Sequence, residues 1–389
     1  MIFTNGRLIL PEGIADGLNL TVEEGLIRRI GPPESASAGD IIDLEGSYLS
    51  PGFIDLHIHG AVGRDTMEGS KEVFAAICDY HASGGTTSLL LTTTTAPIPE
   101  IARVLQDIEA SVGIIPQILG AHVEGPFISR SRPGAQREEF ICEPRSDLVD
   151  RLLEQAGPIK QMTLAPEVTG ALDLIQKLRA RGIRVSGGHS DAWDEEARVA
   201  FAHGMHQVTH TFNCMSTMRR RGRNRVAGLL EFAISEPGIM CELIADGHHV
   251  SPTLVQMLYR AKGVAGIILV TDATAGAGLP DGTSFALYGK DCIVAEGVCM
   301  LVDRSALAGS ASRMIDLVRT MVQKVGVPLQ ETVRMATENP ARAIGVDHRK
   351  GRLAAGMDAD LVVFSPSLEI RQTFVGGRSV YSLMSPRSK

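Results

Sequence analysis

Short apolar runs of strand length alternate along this chain with stretches whose apolar residues recur every three or four positions. Candidate strands fall at 53–58, 86–94, 117–124, 160–166, 183–189, 206–210, 240–246 and 266–272. Between them, KEVFAAICDYHAS, PEIARVLQDIEAS, ALDLIQKLRARG, DEEARVAFAHG and SPTLVQMLYRAKG carry the helical period. Gly182, Gly204 and Gly263 stand where three of these helices would end, a common place for a C-terminal cap. Strands alternating with helices predict parallel βα units, and about eight such units close a barrel.

The two ends of the chain read differently. Residues 1–50 and 356–389 break into short strands and turns, and neither piece is long enough for a comfortable core of its own. The economical reading is an α/β protein with a (β/α)8 TIM-like barrel over 51–355. A small β-sandwich domain, built from 1–50 and 356–389, would flank it. The stretch 274–310 interrupts the rhythm and predicts a hairpin inserted after the last barrel strand, with helices resuming at 311–325 and 328–344.

Composition removes several function classes. Of 389 residues, 44% are hydrophobic and 21% charged, and the net charge of −7 argues against a nucleic-acid surface. No apolar run approaches the ~20 residues of a membrane span, and the N-terminal segment lacks the pattern of a secretory signal. The six cysteines are scattered without a C-x-x-C pair, which suits reduced thiols in a cytoplasmic protein. One cluster stands out in this acidic chain: Arg219, Arg220, Arg221, Arg223 and Arg225.

The candidate chemistry lies at the ends of the predicted strands. His57 and His59 are two apart, so on a strand they face the same side. Glu124 closes an apolar run just before Gly125 and Pro126. His189, His210 and Asp272 each sit where a strand gives way to a loop. A barrel places its catalytic groups at such C-terminal strand ends. A Glu/His/His set with one open position is a normal catalytic coordination set for a divalent metal, and the histidine pair would allow a second ion with Glu124 as bridge. Asp272 would then act as general acid and base. His122, on the same face as Glu124, reads as a packed histidine beneath the site.

With these residues placed, the chain resembles the amidohydrolase superfamily, and within it the N-acetylglucosamine-6-phosphate deacetylase family. PGFIDLHIHG, AHVEGPFIS, TLAPE, GGHSDA, THTFNCMS, IADGHHV, VTDATAGAG, LAGSA, MATENPARAIG and LAAGMDADLV follow that family's landmarks in order. The resemblance implies removal of an acetyl group from N-acetylglucosamine-6-phosphate by a cytoplasmic homodimer. It also implies one or two divalent ions per chain (zinc, iron, manganese or cobalt). By that resemblance Glu124, His189 and His210 are metal ligands, with His57 and His59 the optional second pair, and Asp272 is the acid/base. Asn213, Cys214, His249 and Arg221 would meet the substrate and its phosphate.

Two departures stand out. A histidine is usual twelve residues after the ligand glutamate, where it helps polarise the substrate carbonyl, but this chain has Gln136, which donates a hydrogen bond without an imidazolium charge. The phosphate loop lacks the usual Arg-Glu-Pro-Gly run and reads STMRRRGRNRVAG. These changes keep N-acetylgalactosamine-6-phosphate open as an alternative substrate. Deacylation of a D-amino acid or opening of a cyclic amide is less favoured, because those relatives commonly place a carboxylated lysine where Glu124 stands.

Overall fold

The structure is a computed structural model and describes residues 1–33 and 40–383, so the parts of the terminal segments at 34–39 and 384–389 lie outside the described residues. Eight parallel strands form its centre: β1 (Phe53–Ile58), β2 (Thr86–Thr93), β3 (Ile118–Glu124), β4 (Ile159–Leu164), β5 (Arg184–Gly187), β6 (Met205–Val208), β7 (Met240–Leu243) and β8 (Ile267–Leu269). Each pairs with its neighbours in chain order. The ring closes just past β8, where Asp272 N–H donates to the His57 carbonyl at 2.9 Å and Ile58 bridges Ala273 in parallel. Every residue of β1 and β2 is buried, as expected for parallel strands covered on both faces.

The surrounding helices follow from local sequence. Lys71–Ala82 starts at Ser70, whose hydroxyl accepts from Val73 N–H, and it buries Val73, Phe74, Ile77, Cys78, His81 and Ala82 along one face. Two short helices, Ser146–Leu153 and Leu229–Ser235, lack an obvious period in the sequence because they are only about two turns long.

The terminal segments fold together as two packed sheets. One sheet runs Leu26–Gly31, Asn19–Glu23, Ile2–Thr4, Ile41–Asp43. The other runs Arg378–Ser382, Ile370–Val375, Leu361–Phe364, Tyr48–Pro51, Arg7–Leu10, Gly13–Ala15. Phe3, Leu8, Leu20, Ile27, Leu49, Leu361 and Phe374 form their shared core. Phe3 meets Phe374 edge-on, with ring centroids 5.2 Å apart, a favourable aromatic geometry.

Two expectations change in detail. The insertion after β8 is a four-stranded antiparallel meander (Ser284–Leu287, Lys290–Ala295, Val298–Leu301, Leu307–Ser310), not a single hairpin. The arginine-rich loop is itself a small hairpin, Arg219–Arg221 against Asn224–Val226. Its polar residues hide the alternation that would reveal a strand.

Candidate metal centre and active site

At the C-terminal mouth of the barrel the chain turns sharply out of its strands. His189, His210 and Asp272 all sit in the left-handed region, with φ of 46°, 30° and 49°. Non-glycine residues there carry about 1–3 kcal/mol of strain each, and such strain collects at functional sites. The turns bring the side chains together over the ring.

Glu124 is the hub. Its Oε1 lies 3.2 Å from both His189 Nε2 and His210 Nε2, and its Oε2 lies 3.1 Å from His59 Nε2. His57 Nε2 is 3.6 Å from Glu124 Oε1 and 3.3 Å from Asp272 Oδ1. Two imidazole pairs face each other nitrogen to nitrogen, His57 to His59 and His189 to His210, each at 3.1 Å. Their donor atoms thus fall into two triads sharing Glu124: His57, His59, Glu124, and Glu124, His189, His210. Four converging imidazoles and one carboxylate, all buried, are a donor set suited to divalent ions.

Charge and burial compete here. Burial opposes the imidazolium of His57, but Asp272 and Glu124 outweigh it and hold the ring well above the usual histidine range. For Glu124, burial raises the pKa, yet the neighbouring histidines, His57 foremost, hold it well below the ordinary carboxylate value. His122 lies beneath, as expected: it bonds Thr163 Oγ1 at 2.7 Å and Thr92 Oγ1 at 3.3 Å, and burial, aided by His57, keeps it well below the usual range.

The candidate ligands are held from behind. Arg132 O lies 2.9 Å from His189 Nδ1, the kind of outer partner that fixes ring orientation. Gln136 Nε2 donates to Glu124 Oε2 at 2.7 Å, while its Oε1 accepts from Thr95 N–H and Thr94 Oγ1, both at 2.7 Å. His249 Nδ1 is 2.7 Å from Asp246 Oδ2, whose other oxygen accepts from the backbone N–H groups of His248 and His249.

A cavity of about 240 Å³ opens above these groups, lined by His59, Glu124, Gln136, His189, His210, Asn213, Cys214, His249 and Asp272. Leu287, Ala306, Leu307 and Gly309 from the inserted meander wall its far side. Arg221 does not line it. That side chain pairs with Glu195 at 2.5 Å and lies over the Trp193 ring at 4.8 Å, while Arg219 stacks on the same ring at 3.9 Å and bonds Asp191. Thr94, Thr95, Asp246 and Glu242 are absent from the sequence reading. For Glu242 a signal existed, since it is a lone acid inside the apolar run MCEL.

Comparison with known proteins places the fold in a family. The Amidohydrolase family profile matches residues 48–380. An N-acetylglucosamine-6-phosphate deacetylase of Lysinibacillus sphaericus is 35% identical over 97% of both chains. An N-acetylgalactosamine-6-phosphate deacetylase of Escherichia coli O157:H7 is 33% identical, over 96% of this chain and 97% of its own. Among solved structures, a mutant N-acetyl-D-glucosamine-6-phosphate deacetylase of Mycobacterium smegmatis, in complex with N-acetyl-D-glucosamine-6-phosphate, superposes with a TM-score of 0.92 at 29% identity. It covers 98% of this chain and 99% of that one. Barrel, donor set and full-length similarity lead to one assignment: the chain belongs to the amidohydrolase family, grouping with its amino-sugar-phosphate deacetylases.

Proposed function

We propose that this protein hydrolyses the acetamide of N-acetylglucosamine-6-phosphate, giving glucosamine-6-phosphate and acetate. The observation that carries this reading is the meeting of Glu124, His189 and His210 with Asp272 at the floor of one cavity. A divalent ion held by Glu124, His189 and His210, with or without a second at His57 and His59, would supply Lewis acidity and an activated water.

Asp272 acts as the proton carrier. Its carboxylate takes a proton as water adds to the acetamide carbonyl carbon, then delivers it to the sugar nitrogen as the C–N bond breaks. Asn213, Cys214 and His249 line the cavity at the positions that would orient the sugar, and the Asp246 carboxylate behind His249 sets which ring nitrogen faces outward. The phosphate is met by the arginine hairpin. No arginine of that hairpin lines the cavity of its own chain, so we place it against the substrate of a neighbouring copy in a homodimer. Among the described residues no helix is long and apolar enough to cross a membrane. The cytoplasm is the proposed compartment.

A second substrate, N-acetylgalactosamine-6-phosphate, is favoured by the similarly close relative of that name. Acetate release from both sugar phosphates and both unphosphorylated sugars decides between them. Turnover confined to the first supports the proposal. Equal or faster turnover of the galactose epimer transfers it, and indifference to phosphate removes it.

A further inference from the structure

Beneath the site, inside the barrel, lies a carboxylate with no assigned role. Glu242, on β7, is fully buried. Its Oε1 accepts from Gln161 Nε2 and Gln207 Nε2, both at 2.6 Å. Gln207 Nε2 also reaches Gln161 Oε1 at 2.8 Å, and Gln207 Oε1 accepts from Arg184 Nε at 3.2 Å. Everything on that side is satisfied by one oxygen. The other, Oε2, points up to the site, 3.5 Å from His57 Nδ1 and 3.4 Å from the backbone nitrogen of His210.

A neutral glutamine would serve the lower half of this network equally well, since its single carbonyl oxygen could accept from both amides. Only a carboxylate offers a second acceptor toward His57. Among the described residues, His57 Nδ1 has no hydrogen-bond partner, and Glu242 Oε2 is the acceptor facing it. An imidazole with its hydrogen on Nδ1 has a bare Nε2, and Nε2 is the atom that meets His59, Glu124 and Asp272. Metal-binding histidines almost always donate their other N–H to such an outer acceptor, which fixes ring angle and tautomer together.

We propose that Glu242 is a positioning residue that holds His57 with Nε2 free for a divalent ion bound by His57, His59 and Glu124. The proposal rests on the reading of His57 as a ligand. Glu242→Gln keeps the size of the side chain. Because its carbonyl must still accept from Gln161 and Gln207, it turns an NH2 group toward His57 Nδ1. The ring then answers with the hydrogen on Nε2, where it blocks coordination.

The test is calorimetric titration of Zn²⁺ into the metal-stripped full chain, with folding of each variant checked by its cooperative melt. The native chain is expected to take up two ions. Glu242→Gln is expected to keep the ion at Glu124, His189 and His210 and to bind the other about 10–100-fold more weakly. Two ions bound as tightly as by the native chain would overturn the proposal. His57→Ala run in parallel separates the two layers of the argument. If it leaves uptake unchanged, His57 is no ligand and both readings fail. If it loses an ion that Glu242→Gln retains, only the role of Glu242 fails. Should Glu242→Gln not fold, Glu242→Asp draws the carboxylate back by one methylene and is expected to weaken the same ion by a smaller factor. An undiminished second ion there would equally overturn the proposal.

Discussion

Gln136 and Glu124 are joined by a hydrogen bond whose direction admits no choice. The backbone N–H of Thr95 can only donate, so the Gln136 oxygen must face it, and the Gln136 NH2 must face the carboxylate 2.7 Å away. The amide therefore clamps Glu124, the proposed shared ligand, rather than standing free beside a substrate carbonyl. Removing it leaves the buried Thr95 N–H without its acceptor and takes one neighbour from Glu124 Oε2, which keeps His59 at 3.1 Å. Gln136→Ala is expected to weaken metal retention and lower kcat by about 10–100-fold. Gln136→Glu, which sets two carboxylates face to face, is expected to be worse. Metal content and acetate release of both variants check this, and an Ala variant with native kcat would show that the clamp is dispensable.

Asp272 is the proposed proton carrier, and its loss is expected to separate chemistry from binding. Asp272→Asn preserves shape while removing the base. Its kcat is expected to fall by about 10²–10⁴-fold, the range a positioned general acid or base supplies, with KM within a few-fold of native. A proportionate rise in KM instead would assign Asp272 to substrate binding.

The arginine hairpin makes a division of labour testable. Arg219 and Arg221 lie on Trp193 and pair with Asp191 and Glu195, so they fasten the hairpin to its own chain. Arg220, in register with Arg225 between those two, points from the other face of the strand. Arg219→Ala is expected to lower stability by about 1 kcal/mol, the scale of a cation stacked on a partly exposed ring. Arg220→Ala is expected to leave stability alone and raise KM for the phosphorylated sugar. Steady-state kinetics with and without the phosphate group decide the matter. If Arg221→Ala raises KM most, the phosphate contact returns to that residue.

Acid should find a weak point at His81. Burial pushes this fully enclosed imidazole down to about 4, against the opposing hydrogen bond of the Gly60 carbonyl, 3.3 Å from Nε2. The unfolded chain protonates it near 6.5, so between about pH 6.5 and 4 the unfolded state binds more protons and stability falls as pH falls. The penalty at pH 5 is about 2 kcal/mol. His81→Gln is expected to lose less stability than the native chain between pH 7 and pH 5 in urea titrations. Equal losses would place the acid sensitivity elsewhere.

Much of this architecture is readable from residue order. The predicted strand 117–124 differs from Ile118–Glu124 by one residue at its start, because a parallel strand buried on both faces leaves a continuous apolar run. The six acidic and imidazole groups of the site stand at strand ends, where punctuation by Gly or Asn marks them. What stayed hidden has physical reasons. The clamp on Glu124 depends on Thr94, Thr95 and Gln136 meeting across a loop, a contact with no period. Glu242 is one acid in a short strand, and its meaning comes from neighbours on β4 and β6. The family resemblance assigns Arg221 to the phosphate, yet Glu195 and Trp193, distant from it in sequence, claim its guanidinium.

The six-stranded terminal sheet sets an order of events during synthesis. Tyr48–Pro51 pairs on one side with Arg7–Leu10 and on the other with Leu361–Phe364. The second partner emerges from the ribosome roughly 310 residues after Tyr48–Pro51 itself. At about 5–20 residues per second, that leaves an open strand edge waiting on the order of 15–60 s. The barrel, whose pairings run in chain order, can assemble strand by strand in that interval. The C-terminal strands therefore act as a latch, and a nascent chain stalled before Leu361 would expose the edge most prone to pairing with a neighbour on the same polysome.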